Sequence, residues 1–170
     1  MELLNSGPRK RPHSQIEARC VAITDNDPET DVYPSKDDHT EGNNPQLYYA
    51  KQIENMTENC RVFINRKTFE YDLALESHHN AKMMLEILIE EIPTDGSIKR
   101  DMEDYIAKID AGETIDDTRM AGFILKQVDS NYMGKGRFAQ LLAERIDSGF
   151  VVPEYINNAI SFILMLGERA

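Results

Sequence analysis

The chain has 170 residues and a formal net charge of -11, from 30 acidic and 19 basic side chains, which suits one domain with a real core or a small α/β unit carrying a helical appendage. That acidity excludes a general nucleic-acid coat, whose sequence-independent affinity rests on clustered Lys and Arg, but not an enzyme that cuts phosphodiesters at an acidic, metal-binding centre. No apolar run approaches the roughly 20 residues that span a bilayer, the opening MELLNSGPRKRPHS lacks a signal-peptide apolar stretch, and Cys20 and Cys60 make neither a disulfide framework nor a zinc site, so a cytoplasmic protein without membrane contact is expected.

Residues 1–18 hold Gly7, Pro8, Pro12 and the basic run Arg9-Lys10-Arg11 without periodicity, and read as a flexible entry segment. The next stretch, RCVAITDNDP, ends an apolar, β-favouring run in two aspartates. Val21 to Thr24 read as a strand covered on both faces, as a parallel α/β sheet demands. Asp25 then stands at its carboxyl edge, where open α/β sheets bind ligands. Asp25 and Asp27 repel each other by roughly 4 kcal/mol if about 4 Å apart at an effective dielectric near 20. Solvent, a shared proton or a hard divalent cation would each offset that. An acidic turn is the plain alternative.

Residues 29–44 are rich in Asp, Pro, Gly, Ser and Asn and predict a long exposed loop. From Pro45, with Asn44 as its cap, the spacing of Leu47, Ala50 and Ile53 predicts a helix. The apolar run at 60–64 predicts a second strand, completing a crossover unit of a parallel sheet. Two strands leave their edges without neighbours, so further strands are expected from other sequence or a partner. Thr68 then caps a short helix whose first turn holds Glu70, with Asp72 the weaker acidic candidate two residues on. For Glu70 the plain reading is complementarity to the helix dipole.

From residue 80 onward the chain predicts helices at 81–92, 98–109, 116–128, 137–146 and 153–166, punctuated by Pro93, Gly96, Gly112, Gly134, Gly149 and Pro153. Their Met-containing stripes read as core. His78 and His79, adjacent on a helix, do not suit a shared metal. Lys135 stands between Gly134 and Gly136 just before an amphipathic helix, a setting suited to phosphate. It is not a P-loop, because the glycine spacing and the following Ser or Thr are absent.

Three segments in order, AITDNDP at 22–28, KTFEYDLAL at 67–75 and GKGRFAQLLAERI at 134–146, followed by VPEYINNAI, resemble the C-terminal nuclease region of overcoming-lysogenization-defect (OLD) family ATP-dependent endonucleases. The likeness spans most of the chain from about residue 19. It implies an α/β fold, a Toprim-like partial parallel sheet at 19–78 followed by a helical region at 79–170, and metal-dependent hydrolysis of DNA. It further implies that Asp25, Asp27 and Glu70 hold two Mg2+ or Mn2+ ions and that Lys135 is the catalytic basic residue that stabilises the transition state at the phosphate. The family's additional glutamate and its ATPase half, with any ATP, are expected outside this chain or in a partner subunit, and a homo-oligomer is compatible. Three other readings stay open. One is a haloacid-dehalogenase-like phosphatase, although Glu29 stands where that family has Thr or Val. A second is an EF-hand-like calcium loop, although Thr30 and Lys36 replace its required Gly and Glu. The third is a non-catalytic helical interaction module.

Overall fold

The computed structural model describes residues 19–38, 42, 44–56, 59–91, 93, 96–130 and 132–164; the expected entry segment at 1–18 lies outside the described residues. The protein is α/β and mostly helical. Two parallel strands, β1 (Cys20–Thr24) and β2 (Cys60–Ile64), pair from Cys20 opposite Cys60 to Thr24 opposite Ile64. The helix between them is α1 (Pro45–Met56), and six more follow: α2 (Phe69–Glu76), α3 (His78–Glu91), α4 (Gly96–Ala111), α5 (Asp117–Val128), α6 (Lys135–Arg145) and α7 (Glu154–Leu164).

Local chemistry explains most boundaries. Asn44 Oδ1 accepts from the Gln46 amide at 2.9 Å ahead of Pro45, satisfying a donor the first turn leaves open. Thr68 and Asp116 do the same for α2 and α5, accepting from Tyr71 and Arg119. Gly112, at φ +66, ends α4 in the left-handed region that only glycine enters without strain.

The core is built chiefly by α2, α3 and α5, with Tyr71, Leu73, Met84, Leu85, Leu88, Met120 and Ile124 fully or almost fully buried. Met102 from α4 and Phe138 and Leu142 from α6 complete it, so the methionine stripes are core, where an unbranched thioether fills irregular gaps. Asn80 is buried inside this region and bonds the Leu73 carbonyl at 3.1 Å and the Val151 carbonyl at 2.7 Å, while its own oxygen accepts from the Val151 amide. One side chain thereby joins α2, α3 and the approach to α7.

The last helix returns to the strands. Arg19 donates to the Phe162 carbonyl at 2.8 Å and its guanidinium lies 4.9 Å from the Phe162 ring, which also meets Phe63. Two expectations need correction. β1 is not covered on both faces: Ile23 is 50% exposed and the other strand residues are only half-buried. The segment after β1 is a loop whose residues at 29–31 and 36–38 are exposed as expected, but its middle is anchored to the core. Pro34 is buried, and Tyr33 stacks near Tyr71 and packs on Gly122 of α5 so closely that a Cβ there would come 2.7 Å from the ring.

Candidate active site

At the carboxyl end of the strands, residues far apart in sequence meet. Asp25 directly follows β1 and is half-buried, Glu70 lies in the first turn of α2 and is buried, and Lys135 opens α6. The Lys135 ammonium is 3.2 Å from Glu70 Oε2 and 3.7 Å from Asp129 Oδ1. Asp27 is exposed and holds φ +45, a left-handed conformation that costs a non-glycine residue of the order of 1 kcal/mol. Its amide donates to the Lys67 carbonyl at 3.1 Å.

The electrostatics tie the four together. Burial pushes the Asp25 carboxyl above its ordinary range; a hydrogen bond from Asn65 opposes this, the Asp27 and Glu70 carboxylates add to it, and Lys135 counters them. For Lys135, burial disfavours the charge, yet Glu70, Asp129 and Asp25 together hold its pKa above the ordinary lysine value. A lysine at the start of a helix faces the positive end of the dipole, so this position depends on the acids around it. The helix begins at Lys135 itself rather than after the second glycine, and Gly134, at φ +73, makes the turn into it.

Asn65, which nothing in the sequence marks, is the hub of the strand ends. Its side-chain amide donates to Asp25 Oδ1, its oxygen accepts from the Asn26 amide at 3.0 Å, and its own amide reaches the Thr24 carbonyl; Tyr155 of α7 lines one cleft with it. Burial pushes the Tyr155 phenol up to about 12, Asn65 acting against the shift and the carboxylates of Asp72, Asp25 and Glu70 adding to it. Asn44 holds the opposite side of the turn, donating to the Asp25 carbonyl at 2.8 Å.

Asp72 points elsewhere. Almost fully buried, it accepts the Arg66 amide on both oxygens, at 3.1 and 3.0 Å, and pairs with the Arg66 guanidinium at 3.4 Å. Its task is to clamp the turn between β2 and α2. Asp31 and Glu29 are exposed. His78 and His79 bond to separate acids, Asp117 and Asp147.

Among the described residues no three His, Cys, Asp or Glu side chains are arranged to hold a metal ion. In donor chemistry Asp25, Asp27 and Glu70 fit a hard divalent cation, which favours carboxylate oxygen, and the anions crowding Asp25 are what such a cation would neutralise. Beside the site, a cleft of about 710 Å³ is lined by Asn26, Asn65, Tyr48, Lys51, Arg66 and Tyr155, among others. Comparison of the chain with protein-family models, curated proteins and solved structures found no match.

Proposed function

We propose that this chain is a Toprim-like nuclease region of the OLD type, the C-terminal part of a DNA endonuclease that hydrolyses phosphodiester bonds with divalent metal. The observation that carries the reading is the Lys135–Glu70 ion pair of 3.2 Å at the carboxyl end of the strands, beside an Asp25 carboxyl on which the charges of Asp27, Glu70 and Lys135 act. Asp25, Asp27 and Glu70 are the residues that would hold Mg2+ or Mn2+. When bound, the metal supplies an activated water and neutralises the oxygens of an in-line displacement. Asn65 fixes the Asp25 carboxylate, and Lys135 exchanges part of its pairing with Glu70 for the charge that develops on the phosphate. ATP, in this reading, belongs to sequence outside this chain, as does the additional glutamate.

The experiment is nicking of supercoiled plasmid DNA by the complete assembly in Mg2+ or Mn2+. Asp25→Ala and Asp27→Ala are expected to abolish nicking while leaving the circular dichroism spectrum intact; unchanged cleavage rejects the assignment. A second reading, a non-catalytic helical module, draws on the Lys135 ammonium, which already bridges Glu70 and Asp129 without any ligand. Metal-independent folding together with no divalent-ion binding at any concentration short of bulk screening would favour it.

A further inference from the structure

The buried lysine beside the acidic turn has no part in the chemistry above, and its surroundings are specific. Lys67 is 5% exposed. Its ammonium donates to three carbonyls of the segment after β1, Glu29 at 3.0 Å, Thr30 at 3.3 Å and Val32 at 2.9 Å. It also lies 5.0 Å from the centre of the Tyr33 ring. Its backbone carbonyl meanwhile receives the Asp27 amide. Both ends of one residue therefore grip the chain on either side of Pro28.

The grip passes outward as well. Tyr33 rests on Gly122 and near Tyr71, and the Tyr71 hydroxyl donates to the Pro34 carbonyl at 2.9 Å. An ammonium has three donors and can satisfy three carbonyls from one point, whereas water could not hold the segment against the core. Burial lowers the Lys67 pKa from its ordinary value, with Asp27 and Asp31 opposing the change, so the charge is kept at a cost in solvation that the three carbonyls and two acids offset. The left-handed Asp27 is the strained point this arrangement holds in place.

We propose that Lys67 is a positioning residue: by gathering the carbonyls of Glu29, Thr30 and Val32 while its own carbonyl receives the Asp27 amide, it sets the direction of the Asp27 carboxylate for a divalent cation. The inference rests on the metal-binding reading of the site for its consequence, and on the loop geometry alone for its mechanism.

Two measurements on the full chain separate these. In Lys67→Met, amide exchange at Asp27 and Val32 is expected to rise about tenfold or more with Leu85 in α3 unchanged, an effect of one lost local anchor; unchanged exchange at Asp27 and Val32 overturns the proposal. In a Mn2+ titration the same variant is expected to lose about 10- to 100-fold in affinity, the usual size for a group that orients a ligand. In an Asp27→Asn background the Lys67 substitution is expected to cause little further loss, and an equal loss in both backgrounds overturns the positioning role. Wild-type chain that takes up no Mn2+ defeats the metal reading, and the exchange result then still decides whether Lys67 locks the turn. If Lys67→Met does not fold, Lys67→Arg carries both readings, because a planar guanidinium cannot reach the three carbonyls from one point; Arg behaving as wild type in both would contradict the proposal.

Discussion

Asp25 is held at a disadvantage. Its carboxyl titrates above the ordinary range because of burial and the neighbouring anions, so the folded state binds a proton in a window where the unfolded chain has lost it. Stability on this account falls as pH rises from the unfolded value upward through the raised folded one, and the loss is complete above the folded one. Asp25→Asn keeps an oxygen for Asn65 and removes the charge, so it is expected to raise the thermal midpoint at pH 7 by of the order of 2 °C while abolishing nicking. A lower midpoint at pH 7 contradicts the strain assigned to this carboxylate. Lys135→Ala is expected to reduce turnover by at least about tenfold, the loss for one donor at a developing charge being larger still, with metal affinity much less affected; equal losses in both count against its place at the phosphate. Asn65→Ala removes the bonds that its side chain makes to the Asn26 amide and the Asp25 carboxylate, and should destabilise the chain by about 1–3 kcal/mol in urea titration. Removal of Asn65 without loss of stability would mean that the strand end is held by other contacts.

At the scale of elements, what the sequence discloses follows from local rules. The Thr68 cap, the Pro45 start and the apolar spacing of α3 and α5 depend on neighbours within a turn or two, and all three are legible. Thr68→Ala is accordingly expected to cost about 1 kcal/mol, read from the urea midpoint at constant slope. Asn65, Lys67 and Tyr33 escape notice for the opposite reason. Asn65 meets Asp25 from 40 positions away and Lys67 reaches Val32 from 35, and no spacing rule links an amide or a lysine in a turn to a partner that distant. The acidic pair at the strand end is visible because a strand ending in two aspartates is itself a local pattern, whereas its neighbourhood with Glu70 and Lys135 depends on how α2 and α6 pack. The strand edges differ too: the Val62 amide of β2 donates to Glu54 of α1 at 3.3 Å, while among the described residues no strand lies along the edge of β1 away from β2. Ile23 is exposed, and on the proposed reading the β1 edge is where a further strand would add.

Across the whole molecule, the helical core and the strands are joined at the site itself. Helix α2 carries Glu70 toward Lys135 and Tyr71 and Leu73 into the core, while α7 returns to the strands and places Tyr155 in the cleft that Asn65 lines. Phe162→Ala removes the ring between Arg19 and Phe63 and is expected to cost about 2 kcal/mol, below the roughly 3–5 kcal/mol of a fully buried phenylalanine, with faster amide exchange in β1 and β2 and none in α3. Faster exchange spread evenly over the chain would contradict this division of stability. The net charge of -11 gives the chain little general attraction for DNA, so the proposed nuclease reading assigns substrate affinity to sequence or partners beyond this chain and the cation site to this chain. The most direct test of that assignment is electron paramagnetic resonance of free Mn2+ during titration with the full chain. Wild-type protein is predicted to deplete the free-ion signal and Asp25→Asn to leave it unchanged; wild type and variant depleting it equally, or neither doing so, would contradict the account.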